Sequence, residues 1–420
     1  MPIGGGLYIK FPRTLSALEI DANKAWPAPF VPTHTPAWPA ALIGWKYRKK
    51  FTISGTAAGA QLNYQVKINI IESRGVDSGN TVYTYGHCND DFSDLRFTNS
   101  AGALLSYWIE SRVLSSNATI WVKLDSIPIS PGTADFYMYY GNSAGTPVSS
   151  GINTMDAFDN FDDGNLLGWT EQDPIATTWT AAAAAAKEGA FGCQGQMVAA
   201  GEGGILTWDA ATFQNFRMEA WIRVPDADTL ANCQGGFVFA WADNNNYYQL
   251  KLYDNGATER FQIREVTAGA GADRTTTAFT VAAATWYKVT AIVYLVGASL
   301  QIKGYINDIL ITSYLDASPR ATPNRVGIWC ASTIASRVWA DTFRVSKYVD
   351  PEPVLSSWYS QESYYDAYGI TSLTHLAAGM AKGDILVSDG TVLAVSTPGP
   401  VGTELTSGGP GVLPTWAYPP

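Results

Sequence analysis

Charged side chains are scarce in this chain of 420 residues: Asp, Glu, Lys and Arg make up 15% of it, and the formal net charge is −10. An acidic balance offers no basic stripe for displacing phosphate counterions, which argues against a nucleic-acid partner. Cysteine is rarer still. Cys88, Cys193, Cys233 and Cys330 stand far apart without C-x-x-C spacing, indicating neither a zinc site nor a disulfide framework, and buried free thiols are expected. His34, His87 and His375 fall in three separate segments, so they suggest neither a metal cluster nor a shared acid–base site, and each is expected at a surface or an interface. Long apolar runs are missing too. Val289 to Ile302 is the longest, interrupted by Gly297 and Ser299 and short of the ~18 residues that span a bilayer. The opening Met-Pro-Ile-Gly-Gly-Gly has neither the basic start nor the apolar stretch of a secretory signal. A soluble chain with no membrane partner is expected, and any export would need another route.

What is present is aromatic and turn-forming: 13% Phe, Trp and Tyr, with 39 Gly and 22 Pro. That composition favours an all-β chain, and its length implies two or three domains. Ala181 to Ala186 is the one stretch of strong helix propensity, too short to hold a helix alone. Periodicity two runs through Tyr64, Val66, Ile68 and Ile70, through Ile120, Val122 and Leu124, and through Phe136, Met138 and Tyr140, each set alternating with mostly polar neighbours as half-buried strands do. Proline is concentrated at the ends, with seven between Pro2 and Pro39 and six between Pro398 and Pro420. Proline fixes φ and donates no backbone hydrogen bond, so both ends are expected to be extended arms without regular structure, ordered against another surface. The first fifty residues also hold seven Lys or Arg against Glu19 and Asp21, and are the one net positive stretch.

Ordered motifs carry three resemblances. Trp45-Lys46-Tyr47-Arg48-Lys49, Asp91 to Phe97, Tyr107-Trp108-Ile109-Glu110 and Tyr137-Met138-Tyr139-Tyr140-Gly141-Asn142 resemble a bacterial and archaeal β-sandwich family of unknown function, found in surface proteins. Phe158 to Gly164 and Val338 to Val345, with Met218-Glu219-Ala220-Trp221-Ile222 and Trp286-Tyr287-Lys288-Val289 between them, are similar to the concanavalin A-like lectin and glucanase jelly roll, whose first and last strands lie side by side. Ala378 to Leu386, Gly402 to Gly409 and Pro414-Thr415-Trp416 resemble Gly-rich segments of tailed-bacteriophage fibre and virion proteins. Two consecutive antiparallel sandwiches follow: an N-terminal arm over 1–44, a sandwich over 45–150, a jelly roll over 155–350, and a linker with a C-terminal assembly segment over 351–420.

Enzymatic kits are sparse. Retaining glycosidases need two carboxylates ~5 Å apart, which an E-x-D-x-x-E strand supplies in glucanases of the jelly-roll class. The nearest approximation is Glu19-Ile20-Asp21, where Lys24 replaces the third acid, and the strand from Arg217 offers Glu219 alone. No nucleophile elbow or phosphate loop occurs. Asn117-Ala118-Thr119 fits the glycosylation pattern but leads into a strand, and is read as ordinary polar sequence.

Binding is the remaining chemistry. Alternation leaves Arg217, Glu219, Trp221 and Arg223 opposite an apolar face, then Tyr247, Gln249, Lys251 and Tyr253, and then Arg260, Gln262 and Arg264. Together these outward sets are expected to form one sheet face of rings and planar hydrogen-bonding groups, with Arg217, Glu219, Trp221, Arg223, Tyr247, Gln249, Arg260 and Arg264 as carbohydrate contacts. The jelly-roll resemblance further implies a structural Ca²⁺ held by Asp341 of the last strand, with Asn160 standing where the first strand usually has an acid. These expectations converge on a non-enzymatic structural protein of a tailed-phage virion, of decoration, fibre or adhesin type, made in the host cytoplasm. Its partners would be other virion proteins and its own copies through the arms, and host surface glycans through the sandwiches. The alternative is a bacterial surface or secreted protein that binds or hydrolyses polysaccharide.

Overall fold

The structure, a computed structural model, describes residues 38–172, 177–197, 203–209, 211–224, 233–254, 258–282, 284–319, 325–332, 336–364, 385–388, 393–396, 404–406 and 415–417. The chain is all-β, and 38–364 forms one compact unit while 1–37 with 365–420 forms another.

In the larger unit the first sandwich packs a sheet containing Tyr47–Ser54, Thr133–Tyr140 and Arg96–Asn99 on a sheet containing Gln61–Ile71, Asn117–Ile127 and Tyr107–Val113. The expected alternation holds: Tyr64, Ile68, Ile70, Ile120, Val122, Phe136 and Met138 fill its core. One pair departs from the antiparallel rule, since Thr81–Tyr83 runs parallel to Gln61–Ile71. Cys193, Cys233 and Cys330 are buried free thiols, with Cys88 half-buried. His87 stacks on Tyr47 with ring centroids 3.9 Å apart; His34 and His375, like Glu19 and Asp21, lie outside the described residues.

The expected boundaries need correction at both ends. Trp38 and Leu42, assigned to the arm, are buried against Tyr139. More importantly, the strand Val354–Trp358 pairs with Tyr47–Ser54, and Leu355 enters the first core. The second sandwich is thus inserted within the first rather than following it. The reason is physical: Tyr47–Ser54 has Thr133–Tyr140 on one side only, and a hydrophobic strand edge left open invites pairing.

The second sandwich has two sheets. One, here the interface sheet, contains Thr178–Ala182, Gly192–Met197, Ser336–Lys347, Phe216–Arg223, Tyr287–Val296, Ser299–Ile306 and Ile309–Asp316. The other, the outer sheet, contains Trp169–Glu171, Gly203–Trp208, Arg325–Ala331, Cys233–Asp243, Asn246–Asp254, Arg260–Thr267 and Ala270–Asp273. Ala157–Asp159 lies beside Ser336–Lys347, so the opening and closing strands are adjacent as the resemblance implies. Phe237, Tyr248, Leu250, Phe261, Ile263, Met218, Val289 and Phe343 form the core between the sheets.

The smaller unit corrects the expectation that the C-terminal arm lacks regular structure. Ile385–Ser388 pairs with Leu393–Ser396, and Glu404–Thr406 with Thr415–Ala417, as two antiparallel ladders. The prolines from 398 to 420 all fall outside these strands, so none removes a ladder donor.

The two sandwiches meet on the interface sheet through charge. A bulge after Ile109 aims Glu110 out of its strand. Its carboxylate meets the Arg344 guanidinium, Lys67 at 3.1 Å and the Trp121 indole at 2.8 Å. Arg344 lies directly across from Glu219 and donates to it from Nε at 3.2 Å. Beside them Arg217 pairs with Glu352 at 2.9 Å, and Gln65 accepts from the Lys347 amide at 3.0 Å. Burial pushes the Glu110 carboxyl up, but Arg344, Lys67, Lys288 and the indole outweigh it and hold the group at about 2. A carboxyl depressed in the fold contributes stability above its unfolded value and loses it as pH falls. Unfolding followed against pH is expected to show a loss between about pH 4.5 and pH 2 that Glu110→Gln removes. Arg344→Met, which leaves two carboxylates facing each other, is expected to cost about 3–5 kcal/mol at neutral pH.

Candidate functional site

The eight expected carbohydrate contacts do not form one face. Phe216–Arg223 belongs to the interface sheet, whereas Asn246–Asp254 and Arg260–Thr267 belong to the outer sheet, so their outward sides point away from each other across the core. Alternation within a strand assigns a face but not a sheet, and cross-strand pairing decides the latter. Arg217 and Glu219 are committed to the contact between the sandwiches. Trp221 and Arg223 lie further along the same strand, where Lys187 Nζ sits 4.7 Å from the Trp221 ring and Arg223 stacks 4.4 Å from Trp339.

Tyr247, Gln249, Arg260 and Arg264 do come together on the outer sheet, and register brings further residues to them. One row crosses five strands as Ile205, Trp329, Gly236, Lys251 and Gln262. The next runs Val238, Gln249, Arg264 and Asp273, and a third runs Gln234, Tyr253 and Arg260. Gly236 is the gap in the first row. A Cβ there would lie 2.2 Å from the Leu250 carbonyl oxygen, so only glycine fits. Its missing side chain also lets Lys251 lean over the Trp329 ring, 4.9 Å from its centroid.

These rows line a cleft of about 430 Å³. Tyr253 carries Arg260 on its face at 4.5 Å. Lys251 Nζ donates to Gln234 Oε1 at 2.7 Å, Gln262 Nε2 donates to Asp273 Oδ1 at 3.0 Å, and Arg264 pairs with Asp273. Although they point away from the core, Gln249 and Gln262 are each 2% exposed and Lys251 4%. Burial first, then Arg264, pushes the Lys251 ammonium down to about 7, with Asp273 opposing and Arg260 adding to the depression.

Among the described residues, several polar atoms of this face find no hydrogen-bond partner. Oε1 of Gln249, Oε1 of Gln262 and Nε of Arg260 are buried without a hydrogen-bond partner, and so is Nε1 of the neighbouring Trp241. A buried polar atom left unpaired costs about 1–3 kcal/mol, so a cluster of them in one open cleft indicates a site prepared for a polar ligand. At the contact between the sandwiches, by contrast, Glu110, Glu219, Arg217 and Arg344 are all paired.

Trp329, Gln234 and Asp273 were not foreseen as contacts. The run Val326-Gly327-Ile328-Trp329-Cys330-Ala331 does alternate, which places Trp329 on a face, but its register opposite Gly236 depends on pairing across nearly a hundred residues.

The expected calcium ligands do not fit. Asp341 accepts from the amides of Lys187 at 2.7 Å and Glu188 at 2.9 Å through Oδ2, and from Thr342 at 2.6 Å through Oδ1. Burial raises its carboxyl to about 6, against the lowering pull of those three amides. Asn160 instead donates to Asp162 at 2.6 Å. Backbone donors already occupy the acid that a cation would need, and among the described residues no group of three or more His, Cys, Asp or Glu is arranged to hold a metal.

Residues 91–181 match a family described as a domain of unknown function, DUF2341. The match begins in the first sandwich and ends in the strand Thr178–Ala182 of the second. No curated protein matches the chain in sequence. Similar solved structures include a carbohydrate-binding module, CBM66, from Bacillus subtilis, 16% identical, with 44% of this chain and 98% of that one covered and a TM-score of 0.33. An endo-β-1,4-glucuronan lyase from the fungus Trichoderma reesei is 10% identical over 46% and 96%, with a TM-score of 0.35. A xylan β-1,4-xylosidase from Bacillus halodurans is 12% identical over 58% and 50%, at 0.34. At these scores the likenesses carry no argument about what this chain binds or does.

Proposed function

We propose that this chain is a glycan-binding β-sandwich protein whose ligand lies on the outer sheet of the second sandwich. The observation that carries the reading is the set of buried, unpaired side-chain atoms of Gln249, Gln262 and Arg260 in one cleft, beside the rings of Trp329, Tyr247 and Tyr253. Sugars offer what such a surface lacks: hydroxyls that donate and accept, and C–H faces that stack on rings. Asp273, held by Arg264 and Gln262, is the one carboxylate among the described lining residues. Glycoside hydrolysis of the usual kind needs two, which favours binding over turnover at this site.

The tailed-phage setting is a further part of the proposal. It is supported by the Gly-rich motif between Ala378 and Trp416 and by the proline-rich first 39 residues, most of which lie outside the described residues. Removing residues 1–37, which leaves Trp38 and the first core intact, is expected to abolish incorporation into phage particles without lowering the melting temperature. A truncated chain that still assembles would contradict the setting but not the glycan site.

Calorimetric titration against a panel of soluble polysaccharides tests the site itself. Trp329→Ala or Gln249→Met is expected to weaken binding by about tenfold or more, the scale of one stacking or buried polar contact. Gln249→Met removes an unpaired buried acceptor, so its melting temperature should hold or rise while binding is lost. Trp221→Ala, on the other sheet, should leave binding unchanged.

A further inference from the structure

The charge of the cleft is opposite to that of the chain. Its described lining holds Lys251, Arg260 and Arg264 against Asp273 alone, in a protein whose formal net charge is −10. Asp273 is already taken up by Arg264 and Gln262. Among the described residues Lys251 has no carboxylate within salt-bridge distance and leans on Gln234 and two rings, and Arg260 rests on Tyr253 with Nε unpaired. A buried Lys251 and a half-buried Arg260 are therefore held side by side with no counter-charge among the described residues. Keeping them there is costly unless an anion completes the site.

The unpaired acceptors limit what that anion can be. Oε1 of Gln249 and Oε1 of Gln262 require donors, which a bare phosphate or sulfate at neutral pH supplies poorly. A sugar acid carries both groups at once: hydroxyls for the glutamines and a carboxylate for Lys251 and Arg260.

Resting on the glycan-binding reading, we infer that the outer-sheet cleft is specific for acidic polysaccharide, with the ligand's carboxylate seated between Lys251 and Arg260 and its hydroxyls on Gln249 and Gln262. A proton follows from the same geometry. Burial, Arg264 and Arg260 depress Lys251 to about 7 in the free protein, with Asp273 the one facing acid and Trp329 and Tyr253 the facing rings among the described residues. A bound carboxylate favours the charged ammonium, so binding takes up a proton near neutrality and weakens as pH rises.

The test is calorimetric titration of the full chain with polygalacturonate and with the same polymer fully methyl-esterified, at about pH 6 and about pH 9, bracketing the depressed lysine. Dextran and dextran sulfate serve as a neutral and a sulfated control. The expected result is that polygalacturonate binds at about pH 6 at least tenfold more tightly than its ester, the scale of one charge-assisted contact. That preference should shrink at about pH 9, and the measured heat at neutral pH should vary with buffer ionisation enthalpy. Lys251→Met should abolish the pH dependence without lowering the melting temperature, and Arg260→Gln should reduce the preference independently. Equal affinity for acid and ester would overturn the inference and leave the glycan reading intact. Dextran sulfate bound as tightly as polygalacturonate would overturn it in favour of a general polyanion surface. No binding to any polymer would overturn both.

Discussion

Arg344 is the residue on which the arrangement depends. Its guanidinium, 2% exposed, is held between Glu219 of its own sheet and Glu110 of the first sandwich. A buried cation with two buried carboxylates tolerates little displacement of any member, because each loses far more unpaired than it gains paired. The bulge that projects Glu110 and the cross-strand placement of Glu219 opposite Arg344 thus fix which face of the second sandwich the first one covers. The ion pairs and hydrogen bonds described between the sandwiches reach the interface sheet, so the outer sheet is the layer turned away from them.

That division explains why two sheet faces of similar composition differ in character. Both carry arginine, aromatic and amide side chains in alternate positions. Where the interface sheet meets the first sandwich, Arg217, Glu219 and Arg344 are satisfied within the protein and join the two, although Arg223 further along that strand keeps an unpaired Nε. On the outer sheet Gln249, Gln262 and Arg260 keep unpaired atoms, and Lys251 lies on the cleft floor with no acid paired to it among the described residues. Polar groups that the fold buries but does not satisfy mark where a ligand is expected to supply the missing contacts.

Much of the fold was legible in the chain because its signals are local. Period-two runs such as Tyr64 to Ile70 and Phe136 to Tyr140 marked strands, and the motif pair around Phe158 and Val338 marked the adjacent opening and closing strands. What escaped was non-local. The return of Val354–Trp358 to the first sandwich leaves only a short apolar segment in the sequence, too small to distinguish from a linker. The candidate site was half legible: Tyr247, Gln249, Arg260 and Arg264 were correctly set on one face, whereas Arg217 and Glu219 were joined to them because alternation reports side and not sheet. Trp329 and the gap at Gly236 acquire meaning only once they stand opposite each other. Asp341 was read as a cation ligand from its place in a motif, but three amides use its oxygens.

The proposed glycan site lies on the outer sheet, on a floor the protein has left unsatisfied. The most direct measurement is a crystal structure of the chain with a bound acidic oligosaccharide. A sugar ring is expected against Trp329 or Tyr253, with hydroxyls within hydrogen-bond distance of Gln249 and Gln262 and a carboxylate at Lys251 and Arg260. A ligand seated on the interface sheet, or an outer cleft whose glutamine and arginine atoms remain unpaired while sugar binds elsewhere, would contradict it.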